Sequence, residues 1–158
     1  MYFQFYLFMN GPEVAEIRTY RVFISHTWRY NDEYFQLVRL LKADSGFKWI
    51  NLSRPVHDPG INPDELSNQD FLTEQLAEQI RPAQCMVLLS GMMAESRFWI
   101  MKELELAKYY GIPVVGVVPW GPYTRILTYI DPEVEMLKWN SGKIIRSIVK
   151  KSKIEIYS

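Results

Sequence analysis

The segment from Ser96 to Gly111, SRFWIMKELELAKYYG, places a carboxylate where a helix would bury its apolar side. At about 3.6 residues per turn it predicts a helix whose apolar stripe collects Trp99, Ile100, Leu104, Leu106, Ala107 and Tyr110. Glu103 falls in the middle of that stripe, one turn after Trp99. A carboxylate beside an aromatic ring suits a ribose or a nucleobase. Its negative charge would also stabilise an oxocarbenium-like transition state, as in glycoside cleavage.

A structural role for Glu103 is the alternative, in which the carboxylate bonds a backbone group or pairs with an arginine such as Arg97. The position of the helix favours a functional role. The helix follows a predicted buried strand, so it starts at the edge of the sheet where ligands bind in folds of this kind.

The predicted elements alternate between strand and helix along the chain, which favours a parallel sheet with helices on both faces. Five apolar segments predict strands: 20–25, 47–52, 84–90, 112–120 and 133–139. Four segments predict helices: 31–43, a helix through Leu72, Leu76 and Ile80, the Glu103 helix, and 140–151. The second of these helices is predicted to open with the capping box Ser67-x-x-Asp70 and to stop at Pro82. We therefore predict a flavodoxin-like, doubly wound, five-stranded sheet of order 2-1-3-4-5.

Further candidate site residues follow the first three predicted strands, where the carboxyl ends of parallel strands meet. Ser25, His26 and Trp28 follow the first strand, Asp58 lies in the loop after the second, and Ser90 ends the third. Considered alone, each of these residues could also have an ordinary structural role instead of a role in a site. His26 suits a hydrogen-bonded loop histidine, Trp28 a lid or a packing residue, Ser90 a ligand donor or a turn former, and Asp58 a solvated charge.

Composition bounds the classes of protein to which the chain can belong. Its 158 residues suit one domain, which we place at 20–158 after an N-terminal extension over 1–19. Lys plus Arg equals Asp plus Glu at 18 each, so no basic excess suggests nucleic acid or a membrane surface. The single cysteine, Cys85, fits a reducing cytoplasmic setting. Glycine-rich phosphate loops, metal-binding motifs and a GxSxG elbow are absent from the sequence.

Several of these segments resemble TIR domains. YRVFISHTWRYND is similar to the first TIR box, and LLSGMMAESRFWIMKELELA to the later segment with serine, tryptophan and glutamate. The closer resemblance is to the TIR-like proteins of bacterial Thoeris anti-phage defence, the ThsB family. It is carried by FISHTWRYNDEYFQLVRLL, PVHDP, VLLSGMMAES, IPVVGVVPWG and KWNSGKII and covers about Tyr20 to Lys150.

The resemblance implies an enzyme of the NAD glycohydrolase or ADP-ribosyl cyclase type. Such an enzyme cleaves the nicotinamide–ribose bond of NAD and makes an ADP-ribose-derived signal, cyclic or conjugated, that activates a separate effector. Glu103 matches the catalytic glutamate and Trp99 the aromatic residue beside it. Residues 53–66 match a loop that mediates contacts between TIR domains, so self-association through this loop is implied. NAD would be the substrate, with no cofactor, metal, nucleic acid or membrane.

Two other functions are compatible with the same residues. A TIR-like signalling scaffold would act by assembly alone, although a scaffold has no need for a buried carboxylate. A nucleoside deoxyribosyltransferase-like enzyme would use a glutamate on a comparable helix as a covalent nucleophile. That pattern carries aspartate and glycine just ahead of the glutamate, whereas this chain has Arg97, Phe98 and Trp99.

Overall fold

The structure is a computed structural model that describes residues 18–25, 32–53, 65–89, 93–118 and 134–153, apart from the side chains of 93–96. The strands are β1 (Thr19–Ile24), β2 (Lys48–Asn51), β3 (Cys85–Leu89), β4 (Val114–Val118) and β5 (Glu135–Lys138). The helices are α1 (Asp32–Lys42), α2 (Leu66–Ile80), α3 (Met93–Tyr109) and α4 (Ser141–Lys151).

The sheet has the predicted architecture. Its strand order is β2-β1-β3-β4-β5, and each neighbouring pair is parallel. Every residue of β3 is buried, as expected for a central strand covered on both faces. The flavodoxin-like order 2-1-3-4-5 is thus confirmed, and the carboxyl ends of β1 and β3 lie side by side at the point where the strand order reverses.

The core has one layer on each face of the sheet, because successive strand residues point to opposite faces. On one face, Val22 and Val87 belong to a hydrophobic cluster with α1 and α4. On the other, Phe23 and Met86 belong to a cluster with α2 and α3. Helices α2 and α4 therefore lie on opposite faces of the sheet.

Several boundaries differ from the sequence prediction. Strand β1 begins at Thr19, one residue inside the segment assigned to the N-terminal extension. The capping box at Ser67 and Asp70 is wrong, because α2 starts at Leu66 and its N-cap is Glu65. The Glu65 backbone is extended, with φ −79° and ψ 127°, and its side chain makes no cap hydrogen bond. The true cap is set by where the backbone leaves the extended region, which a four-residue pattern does not determine.

Helix α3 starts three residues earlier than the predicted Ser96, at Met93, and runs to Tyr109. Its predicted stop is confirmed, because Gly111 has φ +66°, a left-handed conformation that only glycine adopts without cost. Glu103 therefore lies about 15 Å along the helix from its first residue. None of the helices in the described part of the chain is long and apolar enough to cross a membrane.

The buried cysteine gives a first testable prediction. Cys85 is fully buried in β3, and burial raises the pKa of its thiol from about 9 to about 12. Because the thiolate is the reactive form, we expect a thiol-directed disulfide reagent to react about 1,000-fold more slowly with the native protein than with the unfolded chain. Cys85 is the single cysteine of the sequence, so the released chromophore reports it alone.

The same shift has a consequence for stability. The unfolded thiol loses its proton near pH 9, whereas the folded thiol keeps it until about pH 12. The contribution of the protonated Cys85 thiol to the free energy of unfolding is therefore complete below pH 9. It is lost as the pH rises from 9 to 12. Fast labelling of Cys85 in the native protein at neutral pH would contradict the burial and the raised pKa on which both expectations rest.

Candidate active site

Helix α3 turns Glu103 toward the interior of the protein. The residue is 1% exposed, and its helical neighbours Trp99, Ile100 and Ala107 are 4%, 0% and 0% exposed. The predicted location of Glu103 within a buried stripe is thus observed. On the opposite side of the helix, Glu105 pairs with Lys102 across 3.2 Å and remains exposed to solvent.

The burial of Glu103 is costly for the fold. Removing a carboxylate from water costs several kcal/mol before any compensation, and replacing a buried charge with a well-packed apolar residue is often neutral or stabilising. Ionisable residues placed at such cost are concentrated at functional sites, although structural ion pairs also occur there. The position of Glu103 makes it the strongest candidate for a functional group among the described residues.

Trp99, one turn before Glu103, lies in the core. It belongs to the hydrophobic cluster that includes Phe23, Leu72, Leu76 and Met86. Its ring also packs edge-on against that of Phe98, with 5.1 Å between the ring centroids. Only 4% of Trp99 is exposed. Packing against the sheet and α2 therefore accounts for the burial of this residue, and its role as an aromatic wall for a substrate stays a prediction.

Ser25 links the carboxyl ends of the two central strands. Its backbone N–H donates to the Val87 carbonyl oxygen at 2.8 Å, and its Oγ accepts the Leu89 N–H at 2.8 Å. The side chain is fully buried. Ser25 thus completes the pairing of β1 with β3 at the predicted ligand edge, and its predicted contact with a substrate stays a prediction.

This geometry predicts the effect of removing the hydroxyl. We expect Ser25→Ala to lower the free energy of unfolding by about 1–3 kcal/mol, because the buried Leu89 N–H would lose its acceptor. Urea unfolding followed by circular dichroism measures this loss. Ser67→Ala, on the exposed side of α2, is the matched control and should change stability by less than about 0.5 kcal/mol. Equal effects of the two changes would refute the bridging role.

A polar network at the end of β2 was not predicted from the sequence. The Ser53 Oγ accepts the Ile24 N–H at 2.6 Å, the Asn51 Oδ1 accepts the Ser53 N–H at 3.0 Å, and the Asn51 Nδ2 donates to the Tyr34 hydroxyl at 2.7 Å. Burial raises the pKa of Tyr34, while hydrogen bonds with Asn51 and Ser53 oppose that rise. The network fixes the carboxyl end of β2.

The remaining predicted site residues, His26, Trp28, Asp58 and Ser90, lie outside the described residues. So does most of the predicted self-association loop at 53–66, of which Ser53, Glu65 and Leu66 are described. The described side chains form no group of three or more potential metal ligands.

A separate cleft of about 300 Å³ lies beside α2. Its described lining consists of Leu52, Gln75, Glu78, Gln79 and Pro82, and includes none of the predicted site residues. The described part of this lining offers amide and carboxylate groups and no aromatic side chain.

Comparison with known proteins gives one family match. Residues 23–124, about two thirds of the chain, match the model of the Thoeris protein ThsB, TIR-like domain. No curated protein matches. Among solved structures, the chain is similar to the CMP N-glycosidase BcmB of Clostridium botulinum, with 14% sequence identity and a TM-score of 0.45. That similarity covers 82% of this chain and 98% of the other, and is too low to support any functional argument.

The matched range begins at Phe23, near the end of β1, and contains β2 to β4, helices α1 to α3, and Trp99 and Glu103 on α3. With its parallel sheet of order 2-1-3-4-5, the chain belongs to the ThsB TIR-like domain family.

Proposed function

We propose that this protein is an NAD-consuming TIR enzyme that cleaves the nicotinamide–ribose bond, with Glu103 as its catalytic carboxylate. The observation that carries the proposal is the burial of Glu103, 1% exposed, at the centre of the apolar side of α3. Family membership alone is also compatible with a scaffold that signals by assembly. A scaffold, however, gives no reason to bury a carboxylate at the expense of stability.

Cleavage of the nicotinamide–ribose bond is helped more by a carboxylate anion than by a proton donor. The nicotinamide ring of NAD is a cation bonded through nitrogen to the ribose carbon. When this bond breaks, the electron pair moves to nitrogen, nicotinamide leaves as a neutral molecule, and positive charge develops on the ribose. A carboxylate held close to that ribose stabilises the developing charge, and its effect is large because the surroundings exclude water.

Glu103 would also orient the substrate by accepting hydrogen bonds from the hydroxyl groups of the same ribose. Helix α3 is rigidly packed against the sheet, so the carboxylate is held in place before the substrate arrives. Because Glu103 lies about 15 Å along α3, the nicotinamide end of NAD must pass the rim of the sheet to meet it. We assign Ser25, His26, Trp28, Asp58, Ser90 and Trp99 to the surrounding pocket.

The fate of the ribose cation sets the product. Capture by water would give ADP-ribose, whereas capture by a hydroxyl group of the same or another nucleotide would give a cyclic or conjugated product. We propose the second outcome, since the resemblance to Thoeris proteins implies a diffusible ADP-ribose-derived signal that activates a separate effector. A pocket that excludes bulk water favours this outcome.

The proposal is tested by incubating concentrated protein with NAD and resolving the products by chromatography and mass spectrometry. Release of nicotinamide together with an ADP-ribose-derived product supports it. A covalent glycosyl-protein adduct in the intact mass would instead indicate a deoxyribosyltransferase-like nucleophile. Intact NAD, both with the purified protein and in extracts of phage-infected cells that contain it, would favour the scaffold.

A further inference from the structure

Helix α4 presents a row of positive charges to solvent. Lys143, Arg146 and Lys150 are spaced three and four residues apart, so they share one side of the helix, and all three are exposed. Val149, on the same helix, is 42% exposed. The one ion pair of α4 with another described element joins its neighbour Lys151 to Glu135 of β5. The three-residue row, which we call the α4 basic row, is exposed to solvent, and its Lys150 also lies near the charge of Glu135.

Helix α2 carries the complementary pattern. Asp70, Glu74 and Glu78 are spaced four residues apart and are all exposed, so they form a row of negative charges that we call the α2 acidic row. Phe71, beside this row, is 46% exposed. An exposed apolar side chain therefore lies beside the acidic row, where it could pack against a partner.

The two rows match in length as well as in sign. The basic row rises about 10 Å along α4, and the acidic row about 12 Å along α2. They cannot meet within one molecule, because α2 and α4 cover opposite faces of the sheet. Any partner that brings matching charges to either row would therefore be another molecule.

We propose that the α4 basic row of one molecule docks on the α2 acidic row of a second copy of the same chain. The formal net charge of zero supports a second copy, because two copies do not repel each other as a whole. Val149 would meet Phe71 among the charged residues. The contact joins two different surfaces, so it is head-to-tail and leaves both ends free to add further copies. This interface uses other residues than the predicted self-association loop at 53–66 and does not depend on catalysis.

The test is a pair of charge reversals measured by analytical ultracentrifugation. One variant, Glu74→Lys with Glu78→Lys, has two basic surfaces. The other, Arg146→Glu with Lys150→Glu, has two acidic surfaces. We expect the wild type to self-associate as its concentration rises, with an association constant at least about tenfold lower in about 0.5 M than in about 0.05 M salt. Each variant alone should stay monomeric, and an equal mixture of the two should associate again.

A control of equal charge separates docking from the general effect of net charge. Lys48→Glu with Arg97→Glu alters exposed residues on other elements and should leave self-association unchanged. Circular dichroism of every variant confirms that the fold is retained. The proposal is overturned if the wild type is monomeric at all concentrations, if the control abolishes association, or if the mixture fails to restore it. A monomer that binds DNA or anionic vesicles through Arg146 and Lys150 would assign the basic row to a polyanion instead.

Discussion

Replacing Glu103 with glutamine is expected to lower the rate of NAD cleavage at least about 100-fold, which corresponds to about 3 kcal/mol of transition-state stabilisation. Glutamine has nearly the same shape and retains a hydrogen-bond acceptor, but it lacks the negative charge that faces the developing ribose cation. The loss should therefore appear in kcat more than in KM. Initial rates of nicotinamide release, measured over a range of NAD concentrations, separate the two constants.

The matched control is Glu105→Gln, which removes the same charge from the same helix two residues later. Glu105 is exposed and pairs with Lys102 on the side of α3 that faces away from the core. We expect this variant to keep the wild-type rate within about twofold, because exposed ion pairs contribute little. If the two variants lose activity equally, or if Glu103→Gln remains fully active, Glu103 is a structural residue.

Replacing Trp99 with alanine is expected to lower the free energy of unfolding by about 3–5 kcal/mol. The tryptophan is 4% exposed in the cluster between the sheet and α2, so its removal leaves a cavity that a rigid packed layer cannot close. Urea unfolding followed by far-ultraviolet circular dichroism is the measurement, since the change also removes a fluorophore.

The neighbouring residue Phe98 supplies the control for Trp99. It is 45% exposed, and we expect Phe98→Ala to cost less than about 1 kcal/mol. Trp99→Phe then separates packing from a role in catalysis, because it retains most of the apolar volume. A large loss of activity in Trp99→Phe with little loss of stability would assign the ring to substrate binding. Unaltered stability in Trp99→Ala would contradict the packing observed here.

The sheet was predictable because its central strands β3 and β4 are short, nearly continuous apolar segments, and helical patterns separate the strands along the chain. A run such as that of β3 can be buried on both faces only in the middle of a parallel sheet, and right-handed crossovers then restrict the strand order. The start of α2 was not predictable in the same way. Several polar residues there are acceptable caps, and Glu65 takes the position through its backbone conformation rather than through its side chain.

The candidate site, like the fold, was predictable from the sequence only in part. The burial of Glu103 follows from helical periodicity, a local property that the sequence displays directly. The network of Tyr34, Asn51 and Ser53 joins a helix to a strand end, and such contacts depend on how separate elements are placed in space. Asn51 and Ser53 lie at the same sheet edge as Ser25, so the rule that selected Ser25 from the sequence would have selected them too.

The most direct test of the catalytic role of Glu103 is the structure of the Glu103→Gln variant bound to NAD, since that change should slow cleavage enough to keep the substrate intact. We predict that the residue 103 side chain lies within about 3.2 Å of a hydroxyl group of the ribose next to nicotinamide. NAD held instead in the cleft lined by Leu52, Gln75 and Glu78, with residue 103 still packed out of reach of any ribose, would contradict the proposed mechanism.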